Sequence, residues 1–134
     1  MSSQFQNIVE TVLDFEEIIA QRWADDGGSV FIEVRTGGGR SQIVMVRLIQ
    51  EEGEEIVHVL AEIGPADPSE YASMLRRNLQ LRHGRIALVD DDNASQFAVV
   101  YAGPLTETDD MKFTQVFAEA VFTADAIGRQ RSIT

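Results

Sequence analysis

The chain has 134 residues and a mass of 14.9 kDa, and its 22 acidic against 11 basic side chains give a formal charge of −11. That length suits one domain, residues 1–134, with a core of its own, and the lack of cysteine excludes a disulfide framework, a thiolate nucleophile and thiolate metal ligation. No apolar stretch is long enough to span a bilayer, and MSSQFQNIVE has neither the basic nor the apolar region of a signal peptide, so a cytoplasmic protein without membrane insertion is expected.

Residues 5–24 read as a helix. Phe5, Ile8, Val12, Phe15, Ile19 and Trp23 recur at steps of three and four and form one apolar stripe, and Asp25-Asp26-Gly27-Gly28 stops it. Three strands follow. Ser29 to Thr36 alternates with period two, Gly37-Gly38-Gly39 makes a hairpin turn, and Arg40 to Gln50 is the second strand. Glu51-Glu52-Gly53-Glu54-Glu55 is a turn whose like charges belong in water, and Ile56 to Ile63 is the third strand, ended by Gly64-Pro65. Connections this short imply an antiparallel meander.

Asp67 as N-cap, Pro68 in the first helical position and Glu70 three residues after the cap predict a second helix, running to about Leu81 and closed by His83-Gly84. Arg85 to Val89 and Gln96 to Ala102 are two more strands around the polar turn Asp90-Asp91-Asp92-Asn93. Thr106 or Thr108 caps a last helix with Phe113, Phe117, Val121, Ala124 and Ile127 as its buried stripe, ended by Gly128 and followed by a frayed tail over residues 129–134. The order αβββαββα defines a single α+β domain, an antiparallel sheet packed by helices.

The strands carry more apolar residues than one buried face requires. Val44, Val46 and Leu48 oppose Ile43, Met45 and Ile49 on the second strand, and Val57, Val59 and Ile63 oppose Ile56, His58 and Leu60 on the third. Either the chain's own helices cover both faces, or part of one face is open to a partner or a second copy.

The charge is uneven, with 14 acids and 4 bases over residues 1–70 and 8 acids and 7 bases over residues 71–134. Arg76, Arg77, Arg82 and Arg85 with His83 form the one local basic cluster, which reads as a solvated helix end, so no nucleic-acid partner is expected. The catalytic inventory is thin. His58 lies mid-strand, His83 lies at a helix end, and neither has a second His at metal-ligand spacing. The glycine run at residues 37–39 lacks the Lys-Ser/Thr ending and following helix of a phosphate loop, and no Glu closes the Asp90–Asn93 turn into a calcium loop. No catalytic residue, metal ligand or cofactor is assigned, and an enzyme is not expected.

From the second helix onward the chain resembles a known family. Met74-Leu75-Arg76-Arg77-Asn78-Leu79 is similar to the L-L-x-x-N-L helix of the type III secretion chaperone-like superfamily, which includes the Tir-chaperone and YbjN-like groups. The likeness continues through Gly84, Leu88-Val89-Asp90, the strand Phe97-x-Val99-x-Tyr101, and Gly103-Pro104-Leu105, where many members have Leu-Pro-Leu. By motif it covers residues 74–124, and by element order nearly the whole chain. The resemblance implies a small acidic homodimer without enzymatic activity that binds a segment of a client protein. It points to Tyr71, Met74, Leu75 and Leu79 as the dimer contact. It points to Phe31, Met45, Ile49 and Leu60, with Phe5 and Ile8 of the first helix, as the client-binding apolar surface. The alternative is a regulatory or structural interaction domain of the same fold that binds a folded partner or itself.

Overall fold

The computed structural model describes residues 3–13, 20–24, 28–90 and 94–133. Along the chain these form helix α1 (Ser3–Leu13), strands β1 (Ala20–Ala24), β2 (Val30–Gly37), β3 (Arg40–Glu51) and β4 (Glu54–Pro65), helix α2 (Tyr71–Arg77), strands β5 (Arg85–Asp90) and β6 (Ser95–Pro104), and helix α3 (Asp110–Ile133). The result is an α+β domain in which all six strands join one antiparallel sheet of order β1-β2-β3-β4-β6-β5. The expected elements recur in their expected order, with one strand added.

That added strand corrects the first helix. Helical structure is described only to Leu13, and Ala20–Ala24 pairs with Val30–Val34, Trp23 lying opposite Phe31. A five-residue piece fits both the helical and the two-residue period, and pairing with β2 decides between them. Phe15 and Ile19, and Asp25 to Gly27 of the expected stop, lie outside the described residues.

Two tight turns set the register of the central meander. Gly38 and Gly39 have φ of 61° and 79°, and Glu52 and Gly53 have φ of 51° and 80°. Positive φ at both turn positions is the geometry that matches the twist of the flanking strands, which is why glycine fills three of the four. Arg47 thereby sits opposite His58, and Met45 opposite Leu60.

The core lies on one side of the sheet. Val30, Ile32, Val34, Val44, Val46, Val57, Val59 and Ala61 are buried there beneath α1 and α3. α1 contributes Phe5, Ile8, Val9 and Val12, and α3 contributes the expected Phe113, Phe117, Val121, Ala124 and Ile127. Phe5 and Ile8 are each 1% exposed, so the structure corrects their assignment to a client-binding surface. Their spacing places them on the one stripe of α1 that turns toward the sheet.

The last helix differs at both ends from its expected limits. Its cap is Asp109, whose Oδ1 accepts the Lys112 N–H at 2.8 Å, while the Thr108 hydroxyl donates to the Pro104 carbonyl. It continues through Gly128 to Ile133, so residues 129–133 are helical and not a frayed tail. Arg131 holds that end, donating to both Glu70 carboxylate oxygens (3.1 and 3.0 Å) and to the Pro65 carbonyl. Glu70 is therefore not the second half of a capping box. Asp67 does cap, its Oδ1 accepting the Ser69 N–H at 3.0 Å, and the turn then passes from 3₁₀ (Pro68–Glu70) to α2 and back to 3₁₀ (Asn78–Gln80).

Candidate functional site

α2 crosses over β6 to deliver the chain to β5, the outer strand of the sheet. Met74 is the one residue of α2 that is buried, and it packs toward Ile86 and Phe97 in a cavity of about 130 Å³ that Tyr71, Leu75, Ala87 and Leu88 complete. The Tyr71 ring meets Phe97 edge-on at 6.0 Å. The mouth of the cavity is unusually apolar for a surface: Leu75 is 64% exposed and Leu88 49%, and Leu79, four residues beyond Leu75, is 90% exposed. Of the four residues expected at a dimer contact, Tyr71 and Leu75 thus stand at the rim of one groove, Met74 forms its floor, and Leu79 is exposed outside its lining.

The edge of β5 is partly occupied. Asn78 Oδ1 accepts the Ile86 N–H at 2.6 Å and Asn78 Nδ2 donates to the Ile86 carbonyl at 3.3 Å. A side-chain amide offers the same donor and acceptor pair as a peptide group, so Asn78 stands where one residue of a neighbouring strand would stand. Only Leu88 and Asp90 keep main-chain groups in the same outward phase. In the sequence Asn78 stands out only as a position of the L-L-x-x-N-L motif, and nothing local there gives its partner away.

A second apolar surface lies on the opposite side of the sheet from α1 and α3. Phe31, Met45, Leu60 and Val100 form one row across β2, β3, β4 and β6, each directly opposite the next. Ile49, the remaining residue expected on a client surface, pairs with Ile56 two rows away. All six side chains are half-buried, and no described helix covers them. Between these rows stand Arg47 and His58. Burial, then the Arg47 guanidinium, lowers the His58 imidazole from its ordinary 6.5 against a smaller upward pull from Glu51. His58 is therefore neutral at pH 7, and its cross-strand neighbour is a cation and not a carboxylate.

The remaining polar clusters are committed to structure. Glu119 of α3 accepts the backbone N–H groups of Arg82, His83 and Gly84 at 2.7, 3.0 and 2.7 Å. Burial pushes its carboxyl up, but the three N–H bonds outweigh that and hold it below its ordinary 4.5. Asp125 is buried against the β2–β3 hairpin, accepting from Thr36 Oγ1 at 2.8 Å and from Arg40 Nε at 3.2 Å, with Arg129 Nε at 3.4 Å. Here too burial raises the pKa, while the Arg40 and Thr36 bonds and the Arg40 and Arg129 charges bring it below 3.8. Both carboxylates are ionised and fully engaged. A polar cleft of about 290 Å³ opens beside Asp125, and a mixed one of about 370 Å³ lies between Arg77 and Phe122; His58 lines neither of them, nor the α2–β5 cavity.

Among the described residues, no group of three or more His, Asp or Glu side chains could hold a metal ion. Asp91, Asp92 and Asn93 of the polar turn lie outside the described residues, and Asp90 accepts the Ser95 hydroxyl at 2.6 Å. No described helix is long and apolar enough to cross a membrane. No family model matches the chain, and no curated protein matches it.

Proposed function

We propose that this chain is a non-enzymatic protein-binding domain of the kind its resemblance to the type III secretion and YbjN-like chaperones implies, a cytoplasmic homodimer in which each copy holds an apolar segment of a client protein. The observation that supports this reading is the groove between α2 and β5. It is lined by apolar side chains on every side, it opens between Leu75 and Leu88, and its volume of about 130 Å³ approaches that of the roughly 150 Å³ apolar cavities that take up benzene-sized guests. One bulky apolar side chain of a client fills it. The exposed Leu79 then covers the adjoining stretch, as an anchor and its rim do in other peptide grooves. The absence of cysteine favours the reducing compartment.

The groove is concave and small, whereas the sheet face that no described helix covers is broad. Concavity suits a client side chain, so the client is assigned here to Tyr71, Met74, Leu75 and Leu79 and not to the sheet. A benzoylphenylalanine placed at position 79 and irradiated in cells tests this directly. The expected product is a discrete adduct of one copy with a second protein, of a mass different from twice 14.9 kDa, lost when Leu75→Asp is added. Absence of any adduct rejects the groove. An adduct of twice 14.9 kDa identifies the occupant as a second copy and favours a regulatory or structural interaction domain without an unfolded client.

A further inference from the structure

The sheet face that no described helix covers has a charge pattern that complements itself. Its central row is apolar over four strands, Phe31–Met45–Leu60–Val100, and ends on β5 at the exposed Arg85. One row to one side stand Arg47 and His58, on β3 and β4. One row to the other side stand Glu33, Ile43 and Glu62, on β2, β3 and β4: Glu33 pairs with Ile43, and Ile43 and Glu62 each lie two residues beyond the Met45–Leu60 pair. Side chains on one face repeat every second residue, so these rows lie about 7 Å apart, and neighbouring strands about 4.8 Å apart. Arg47 is exposed and makes no ion pair among the described residues.

We propose that two copies of this chain pair face to face through this surface, about a two-fold axis running along the Phe31–Met45–Leu60–Val100 row. Such an axis keeps each strand position and exchanges the rows on either side of it. Arg47 of one copy then stands over Ile43 of the other, with Glu33 to one side and Glu62 to the other, and symmetry repeats the contact. His58 stands over Glu62. The apolar rows meet at the axis as the inner faces of two aligned sheets do. Every contact away from the axis is made twice, and the residues on the axis meet their own copies, as an isologous interface requires.

A second copy fits better than a client segment for a physical reason. Covering this face removes water from Arg47, which is costly unless a carboxylate replaces it. An unrelated segment would have to bring an acid to Arg47 and bases to Glu33 and Glu62 at matching spacings. A reversed copy brings both. The charges also bear on the axis, because one running along β3 sets Arg47 against Arg47, whereas the axis proposed here leaves only Arg85, at the β5 edge, facing its own copy.

The inference rests on the homodimeric part of the function proposed above, and its test uses the full chain in sedimentation equilibrium with far-ultraviolet circular dichroism as a check on folding. The wild type is expected at twice 14.9 kDa at about 100 µM, and Leu60→Asp as a folded monomer. Arg47→Glu, at an exposed position that no fold contact depends on, weakens dimerisation about tenfold or more, and adding Glu33→Arg and Glu62→Arg to it restores the affinity to within about threefold of wild type. A monomeric wild type overturns the proposal. So does a dimer indifferent to Arg47→Glu, a dimer broken by Leu79→Asp in place of Leu60→Asp, or a triple variant no tighter than Arg47→Glu. A monomer that still gives the client adduct at position 79 removes this inference and the homodimeric part of the proposed function and leaves the groove standing. An intact dimer without that adduct removes the groove reading alone.

Discussion

Glu52 is the one described residue other than glycine with positive φ, at 51°, and it sits in the first position of a turn that has Gly53 in the second. The left-handed conformation strains a side chain with a full Cβ, and three further carboxylates crowd the same turn. Glu52→Asn is therefore expected to stabilise the fold by about 0.5–1 kcal/mol, read as a higher urea midpoint at unchanged slope. Gly103 makes the opposite case. The Tyr101 ring lies across it and reaches the Thr108 hydroxyl at 3.2 Å, so a methyl group there would occupy the space of the phenol. Gly103→Ala must swing the ring out of the core and break that bond. The expected loss is about 2 kcal/mol in the same unfolding experiment.

At the scale of elements, α3 is the member to which the rest of the fold is tied. Along its length Glu119 gathers the loop ahead of β5, Asp125 grips the β2–β3 hairpin, and Arg131 reaches Pro65 and Glu70 before α2. Arg131 also lies over the Phe97 ring at 5.3 Å. Arg131→Ala is expected to cost about 1–2 kcal/mol through its two-oxygen pairing with Glu70 and the Pro65 bond, and hydrogen exchange should show the loss concentrated at the end of α3 and in α2. None of these clamps was legible in the chain. The periodic stripes of α1 and α3, the alternation of β2 to β4 and the Asp67 cap are local patterns, and they gave the α+β architecture. Thr36 and Asp125 lie 89 positions apart, and Glu119 and Gly84 lie 35 apart. Such pairs exist only once the sheet has formed. The same reasoning explains why Arg131 was assigned to a loose tail: Gly128 is a fair stop signal, and the contacts that overrule it come from sixty positions away. On the candidate site the resemblance pointed to Tyr71, Met74 and Leu75 of α2 and to Leu79 just after it as a contact surface, but the cavity beneath α2 needs Ile86, Leu88 and Phe97 from two later strands.

For the whole molecule, two of these clamps set an acid limit. The Glu119 and Asp125 carboxyls both titrate below their ordinary 4.5 and 3.8 in the folded chain. A group with a depressed folded pKa contributes stability that is complete above its unfolded value and is lost as pH falls through the folded one. The urea midpoint should therefore stay level from neutral pH down to about 5 and fall below that. In the Glu119→Gln variant the chain should start about 1–2 kcal/mol less stable at pH 7 and decline less steeply in acid. A variant whose acid decline matched the wild type would remove Glu119 as a source of the effect.

The amide of Asn78 on the edge of β5 bears on how far association can go. A sheet with an open edge can extend indefinitely, one copy templating the next into a fibre, whereas pairing across a two-fold axis is complete at two. By closing the Ile86 position with its own side chain, the chain leaves β5, one of the two edge strands, too short a template to recruit another. Asn78→Ala reopens it. Concentrated solutions of that variant are expected to gain thioflavin-positive, fibrous material on gentle heating while the wild type stays clear, so that one side chain separates a particle of fixed size from a polymer without end.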